Sequence, residues 1–486
     1  MKILFAASEA APFAKSGGLG DVAGALPAAL SKIKGNEVCV VLPYYSSVKY
    51  NPEIETEYVG SMYVPLAWRN VYAGVFKKVI KNRGVGKNKR CDLVYYFIDN
   101  EYYFNRDSFY GHCDDGERFA FFSKAVLECL PLIGFTPDVI HANDWQTGFL
   151  PLFLKAHYAN LDMYKNIRVV YSIHNIEYQG KADPDFLNEV LGVDEYWRNV
   201  CTFDKLINAM KTAIVLCDKL TTVSDTYAHE IGYAYFANGL ESVINENSYK
   251  LCGVVNGIDT ELYNAEKDPK IPCSFKPSDL SGKAECKKAL QEKLGLEVNP
   301  DIPIVAMISR LVRHKGLELV EGVSGELASD NIQLVILGTG DREYEDMFKF
   351  MAYTHPGKVS ANITFNSTLA SEIYAGSDFL LMPSKSEPCG LSQLIAMRYG
   401  TIPIVRETGG LVDTVPPLNP ETLEGRGITF KVFNAHDMLD AVRRGAEFYK
   451  NKEALDKFRS KLMKHDSSWK IPAEKYMSVY GSVMPL

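Results

Sequence analysis

The 486-residue chain predicts an α/β protein made of two doubly wound, Rossmann-like domains that face a deep cleft. Three observations carry that expectation. Short β-branched and apolar runs alternate with helical patterns almost from end to end. The runs are apolar on both faces, as parallel strands covered by helices on each side must be. The alternation breaks once, between Tyr263 and Pro300, in a stretch rich in Lys, Pro, Asp and Ser, and then resumes.

In order, strands are expected near Lys2–Ser8, Glu37–Leu42, Leu93–Asp99, Asp138–Ala142, Val169–His174, Lys219–Val223 and Cys252–Val255. Helical patterns fit between them, for example at Gly18–Ile33, Gly116–Ile133 and Thr147–His157. After one helical stretch at Ala284–Leu294, further strands are expected at Ile304–Ser309, Leu334–Gly338, Asn362–Asn366, Phe379–Pro383 and Ile402–Val405. The first domain is placed at 1–258 and the second at 259–464, with a terminal segment 465–486. In such sheets ligands bind outside the carboxyl ends of the strands, so the strand-to-helix loops are where chemistry is sought.

Composition narrows the function classes. Hydrophobic residues make up 47% and charged residues 23%, the mix of a globular protein. A formal net charge of −7 argues against broad nucleic-acid binding but not against a local basic cluster for one anion. The ten cysteines (Cys39, Cys91, Cys113, Cys129, Cys201, Cys217, Cys252, Cys273, Cys286 and Cys389) show no CxxC and no zinc spacing, which points to a reduced compartment. The N-terminal apolar run meets Glu9 too early for a signal-peptide core, and no run approaches the ~20 apolar residues that span a bilayer. No metal is expected: there is no DxD pair after a strand and no HxxxH, and Asp114-Asp115 reads as a helix N-cap.

The first strand-to-helix loop, KSGGLGDV from Lys15 to Val22, pairs Gly17 and Gly18 just before a helix. Backbone N–H groups there can approach a phosphate, with Lys15 adding charge; a plain flexible turn fits the glycines as well. A dinucleotide fingerprint is discounted, because nine residues separate Ser8 from Gly18.

KSGGLGDV resembles the K-x-G-G-L-G-D-V signature of bacterial glycogen synthases and plant starch synthases. HANDWQTG (141–148), SIHNIEYQG (172–180), TTVSDTYAHEI (221–231), GVVNGID (253–259), SRLVRHKGLE (309–318), PSKSEPCGLSQL (383–394) and VRETGGLVDTV (405–415) agree in the same order over essentially the whole chain.

The residues also have a physical reading. Arg310 and Lys315 follow a strand, and a planar fork beside a compact charge suits a diphosphate, although a solvated surface pair has the same spacing. Cations placed there would stabilise the leaving diphosphate more in the transition state than in the ground state. Glu387 can accept sugar hydroxyl groups while the backbone of Cys389, Gly390 and Leu391 faces the ligand. Cys389 itself reads as a pocket-lining thiol, since its motif offers no partner base. His174 ends a strand, where a hydrogen-bonded core histidine is the ordinary outcome. Asn256 lies in an Asn-Gly turn, and Thr408, Gly409 and Gly410 form a second glycine-rich loop suited to phosphate or sugar. The aromatic stretch around Tyr95 and Tyr96 reads either as core packing or as a glucan path.

The resemblance implies the B-type glycosyltransferase fold, with a last helix crossing back onto the first domain. It implies transfer of glucose from ADP-glucose to the non-reducing 4-hydroxyl of an α-1,4-glucan, with retention of configuration and no cofactor. Asp144, His174, Arg310, Lys315 and Glu387 are the implied catalytic set. Lys15, Gly17, Gly18, Asn256, Cys389, Gly390, Leu391, Thr408, Gly409 and Gly410 are on the donor side, and Asp21, Tyr95 and Tyr96 on the acceptor side. Related transferases carry a second Glu eight positions after the first; Ile395 stands there, which matches the glycogen/starch synthase subgroup. Asn143 stands where the family usually has His, which puts the hydrogen bonding of Asp144 in question. The implied setting is the bacterial cytoplasm, or the plastid stroma for a processed plant form, with neither nucleic acid nor membrane as a partner. The rival readings are a related retaining transferase with another donor or acceptor, and a non-catalytic glucan-binding protein on the same fold.

Overall fold

The computed structural model describes residues 1–81 and 92–485, so Cys91 and Leu486 lie outside the described residues. The chain divides into two compact units, one of residues 1–256 with 469–486 and the other of residues 257–468.

The first unit is built on a nine-stranded sheet. Its strands are β1 (Lys2–Ala6), β2 (Glu37–Pro43), β3 (Glu57–Leu66), β4 (Arg69–Ile80), β5 (Leu93–Asp99), β6 (Val139–Asn143) and β7 (Arg168–Ile173). A small antiparallel sheet follows, of β8 (Lys181–Ala182), β9 (Thr202–Phe203) and β10 (Leu206–Asn208), before β11 (Lys219–Thr222) and β12 (Leu251–Gly253) complete the main one. The main order is β12-β11-β7-β6-β1-β2-β5-β4-β3, parallel from β12 through β5. The chain runs outward from β1 to β2 and later returns to β1's other side as β6. That reversal makes the β1/β6 crevice the topological switch point, where doubly wound sheets hold ligands.

The antiparallel pair β3–β4 is a hairpin at the sheet edge that the strand reading passed over. Its signal was present as alternation, with Val64 and Leu66 buried between exposed or half-buried neighbours on β3. A half-buried edge strand is apolar on one face only and so carries no doubly apolar run.

The last helix, Lys470–Gly481, buries Ala473, Tyr476 and Tyr480 in the core that contains Phe5, Leu26 and Val139. Tyr480 OH reaches Nδ1 of His141 at 2.7 Å, so helix and central strand share a buried polar contact as well as apolar area.

The second unit has a six-stranded parallel sheet of β13 (Ile304–Ile308), β14 (Gln333–Leu337), β15 (Val359–Asn362), β16 (Phe379–Met382), β17 (Ile402–Arg406) and β18 (Ile428–Phe430). The order β15-β14-β13-β16-β17-β18 places its switch point between β13 and β16. Its core runs through Val305, Leu334, Ile336, Phe379, Leu380 and Ile404.

Three local expectations are corrected. The strand placed at Asn362–Asn366 is Val359–Asn362, because the Asn366 side chain accepts from the N–H groups of Thr368 and Leu369 and caps the next helix. The helix placed at Thr147–His157 is a broken run: a tight turn at Trp145–Thr147, an α-helical turn at Leu150–Phe153 and a wider turn at Leu154–Tyr158. Asp114 stands at the N-cap of helix Asp115–Ile133 without a capping bond, since its carboxylate is taken by Arg106 at 2.7 Å. Among the described residues no helix is long and apolar enough to cross a membrane.

Candidate active site

In the first unit the loop after β1 is organised by a residue the sequence reading used only to end an apolar run. Glu9 is buried, and its carboxylate accepts bonds from Ser16 N, from Ser16 Oγ at 2.7 Å, from Gly17 N at 3.2 Å and from Tyr110 OH at 2.6 Å. The expectation that this loop offers its N–H groups to a phosphate is therefore corrected for Gly17, whose N–H is already engaged by an internal anion. A Cβ on Gly17 or Gly18 would meet nothing within 4 Å, so no close contact within the chain requires glycine at either position. Lys15 Nζ pairs with Asp21 Oδ1 at 2.6 Å, so the loop's charge arrives already partnered. Burial raises the Asp21 carboxyl above its usual range against the pull of Lys15.

At the end of β6 the backbone of Asp144 is forced to φ 52°, ψ −179°, a region that side chains other than glycine enter at a cost of about 1–3 kcal/mol. The bonds that hold it there are its N–H to Ser172 O at 3.0 Å and its Oδ1, which accepts from His174 N at 2.7 Å. Asp144 and His174 thus meet across the ends of β6 and β7. Burial pushes the Asp144 carboxyl up to about 7, with the bonds from His174 and Asn175 working against it and the Glu9 charge adding to it. Burial also pushes the His174 imidazole down to about 4, so it is neutral at ordinary pH.

A stability prediction follows from the raised carboxyl. Between its ordinary value of 3.8 and about 7, folded Asp144 keeps a proton that the unfolded chain has released. This group therefore makes stability fall as pH rises through that window. Asp144→Asn is expected to raise the melting temperature at pH ~8, by at most about 4 kcal/mol of stability, with the gain vanishing near pH ~4. Thermal unfolding at the two pH values checks it, and a gain independent of pH would contradict it.

In the second unit the loop after β13 carries Arg310 and Lys315, and the loop after β16 carries Glu387, on either side of the switch point. Lys315 Nζ contacts Glu387 Oε2 at 2.6 Å, and Ser384 Oγ donates to the same oxygen at 2.9 Å. Burial alone would raise Glu387, but the Lys315 charge and the bonds from Lys315 and Ser384 outweigh it and hold the carboxyl below its usual range. Gly316 makes the close approach possible: its φ is +73°, and a Cβ there would sit 2.0 Å from Pro383 O. Arg310 is exposed, and among the described residues its guanidinium has no ion-pair partner.

The two glycine-bearing loops of this unit are bonded together. Gly410 N donates to Glu387 O at 3.0 Å, and a Cβ on Gly410 would lie 2.4 Å from Cys389 Cα. Gln393 Nε2 donates to Cys389 O at 3.0 Å and Gly390 O at 2.8 Å, while Arg406 Nη1 donates to Lys385 O at 2.9 Å. Gln393, Ser384 and Arg406 were missed as site residues, although all three lie within the recognised motifs. Thr408 and Cys389 are buried, Leu391 is half-buried, and Gly409 turns with φ 47°. Asn256 ends the first unit, buried, with Oδ1 unpartnered among the described residues.

One expectation fails outright. Tyr95 is 1% exposed and packs edge-on to Phe13 at 4.8 Å, so it is core and cannot line a glucan path. Tyr96, on the opposite face of β5, is half-buried. Among the described residues no group of three or more His, Cys, Asp or Glu side chains is gathered as a metal site would need.

Comparison with known proteins agrees along the whole chain. A family model described as "Starch synthase catalytic domain" matches residues 2–246, and one described as "Glycosyl transferases group 1" matches residues 290–462. A protein named glycogen synthase from Bacillus cereus (strain Q1) is 47% identical over 486 residues, covering 100% of both chains. The solved catalytic domain of starch synthase IV from Arabidopsis thaliana, bound to ADP and acarbose, superposes with a TM-score of 0.89 at 33% identity, covering 99% of each chain. A sucrose-phosphate synthase from Thermosynechococcus elongatus superposes with a TM-score of 0.61 at 17% identity over 99% of this chain and 98% of that one, a likeness of fold alone.

Proposed function

This chain belongs to the glycogen/starch synthase family of glycosyltransferases, and from that premise we propose that it transfers glucose from ADP-glucose to the non-reducing 4-hydroxyl of an α-1,4-glucan, with retention of configuration. The observation that supports this reading most is the Lys315–Glu387 contact at the switch point of the second sheet. A cation and a carboxylate on facing loops suit a nucleotide sugar: Lys315 and Arg310 take the diphosphate, and Glu387 accepts sugar hydroxyl groups. The bound ADP in the Arabidopsis relative makes adenine the expected base.

In the proposed reaction the bond from C1 of glucose to the diphosphate oxygen breaks and a bond from C1 to the acceptor O4 forms on the same face. The acceptor's proton passes to the departing phosphate, which leaves as ADP. The cationic side chains oppose charge that grows as the C1–O bond lengthens, so their effect is largest at the transition state. On this reading His174 and Asp144 serve the glucosyl group, and a neutral imidazole can accept a hydrogen bond from a sugar hydroxyl group without adding positive charge beside C1.

The test is incorporation of labelled glucose into glycogen from ADP-glucose and from UDP-glucose, with EDTA present. Strong incorporation from ADP-glucose is expected. Preference for UDP-glucose would overturn the donor, and glycogen binding without turnover from either would overturn the catalytic reading.

A further inference from the structure

The geometry around Asn143 assigns it a role. It is the last residue of β6 and is fully buried. Its Nδ2 donates to Ala6 O at 3.0 Å and to His141 O at 3.1 Å. Carbonyl oxygens accept only, so the amide NH2 must point at them, and Oδ1 must point the other way. There it meets His174 Nε2 at 2.9 Å. An amide oxygen cannot donate, so the proton of that bond belongs to His174 Nε2.

A neutral imidazole carries one N–H. With that proton on Nε2, Nδ1 of His174 is left as the ring's one lone-pair acceptor. The ring cannot trade tautomers without losing the bond to Asn143, and Asn143 cannot flip without facing two carbonyls with its own oxygen. The His174 main chain is held as well, by Asp144 Oδ1 at 2.7 Å. The titratable groups that act on the ring and on Asp144 do not disturb this arrangement. His141 is itself buried, held below its ordinary range by burial, and bonded to Tyr480 OH and to Ser172 Oγ at 2.6 Å. Asp144 faces the His174 backbone, and Glu9 acts on Asp144 through its charge.

We propose that Asn143 is a positioning residue of the transfer reaction, locking His174 as the Nε2–H tautomer so that Nδ1 accepts a hydrogen bond from a hydroxyl group of the glucosyl substrate. The proposal rests on the reading above that His174 serves the glucosyl group. The single amide also ties the end of β1, through Ala6, to the ends of β6 and β7. It therefore spans the switch point of this sheet and orients an imidazole at its rim. Groups that fix the tautomer of a functional histidine have effects far larger than their distance from the chemistry suggests.

The test is two-bond 1H–15N NMR on the full-length protein with 15N-labelled histidine, the His174 signals being those lost in His174→Gln. Wild type is expected to show one Nε2–H tautomer from pH ~6 to ~8. Asn143→Leu should mix the tautomers and lower kcat roughly 10–100-fold with KM for ADP-glucose little changed. Asn143→His, with one ring nitrogen to accept and one to donate, should restore both tautomer and kcat, and it carries the test if the leucine variant does not fold. An Nδ1–H tautomer in wild type would overturn the proposal. So would a variant that loses the tautomer yet keeps kcat, or one that keeps the tautomer yet loses kcat. A wild type that transfers no glucose while showing the Nε2–H tautomer would sink the functional reading and leave the tautomer assignment standing.

Discussion

Lys315→Ala is expected to lower kcat about 10²–10³-fold at saturating donor and glucan, the loss that follows removal of one preorganised group opposing transition-state charge. The structure adds a second consequence. Lys315 is the cation that holds Glu387 ionised in a buried site, at 2.6 Å. Without it burial dominates, the carboxyl rises, and an unpaired charge is left that costs about 3–5 kcal/mol when both partners are well buried. Lys315 retains 19% side-chain exposure, so the lower end of that range applies.

The sign with pH separates the two effects. In wild type the lowered Glu387 contributes stability above its unfolded value, lost as pH falls through its folded one. In Lys315→Ala the raised carboxyl reverses this, so the deficit in melting temperature should be larger at pH ~8 than at pH ~5. Adding Glu387→Gln should restore the melting temperature and leave kcat low. Calorimetry and initial rates on the three variants check both parts, and a double variant with recovered turnover would show that the pair is structural only.

Asp378→Ala is the substitution expected to damage stability most. Asp378 is 2% exposed and stands just before β16. Its carboxylate accepts from Lys287 Nζ at 2.8 Å, from Arg459 Nη2 at 2.5 Å and from Ile304 N at 2.8 Å. It thereby joins helix Ser281–Leu294, helix Lys452–Lys464 and the start of β13. Burial raises this carboxyl, but the charges of Lys287 and Arg459 overcome it and hold it below the usual range. Alanine would leave Ile304 N and Arg459 Nη2 without the carboxylate and Lys287 with only Pro300 O and Tyr449 OH, at a cost of about 3–5 kcal/mol. Urea denaturation should show the midpoint of the second unit falling while that of the first is nearly unchanged. A loss below about 1 kcal/mol would mean that water or a rearranged partner replaces the carboxylate.

The strands β1, β2, β5 and β13 were legible because each is apolar on both faces over a short run, and β16 and β17 for the same reason. The β3 strand escaped that criterion because, at the sheet edge, it buries one face only, and β4 because its polar and charged residues interrupt any apolar run. Tyr95 misled for a related reason. A tyrosine at a strand position reads the same from sequence whether its face meets solvent or the Phe13 side of the core, and alternation along β5 places it inward.

Within the site, what lay in one contiguous segment was readable: the loop of Lys15 to Asp21, the pair Arg310 and Lys315, and the turn around Glu387. The roles of Glu9 and Asn143 were not. Glu9 acts on a loop seven and eight residues on by folding back beneath it, and pairs with Tyr110 from a separate segment. Asn143 draws its partners from strands 137 and 31 positions away. Two doubly wound sheets, the loops that carry the chemistry and the family of transferase are written in the chain alone, because periodicity and motif spacing are local properties. Tertiary structure alone decided which carboxyls ionise, which N–H groups are already engaged and which nitrogen of His174 holds its proton. Those depend on burial and on contacts of about 3 Å, and only the folded chain brings such distant atoms together.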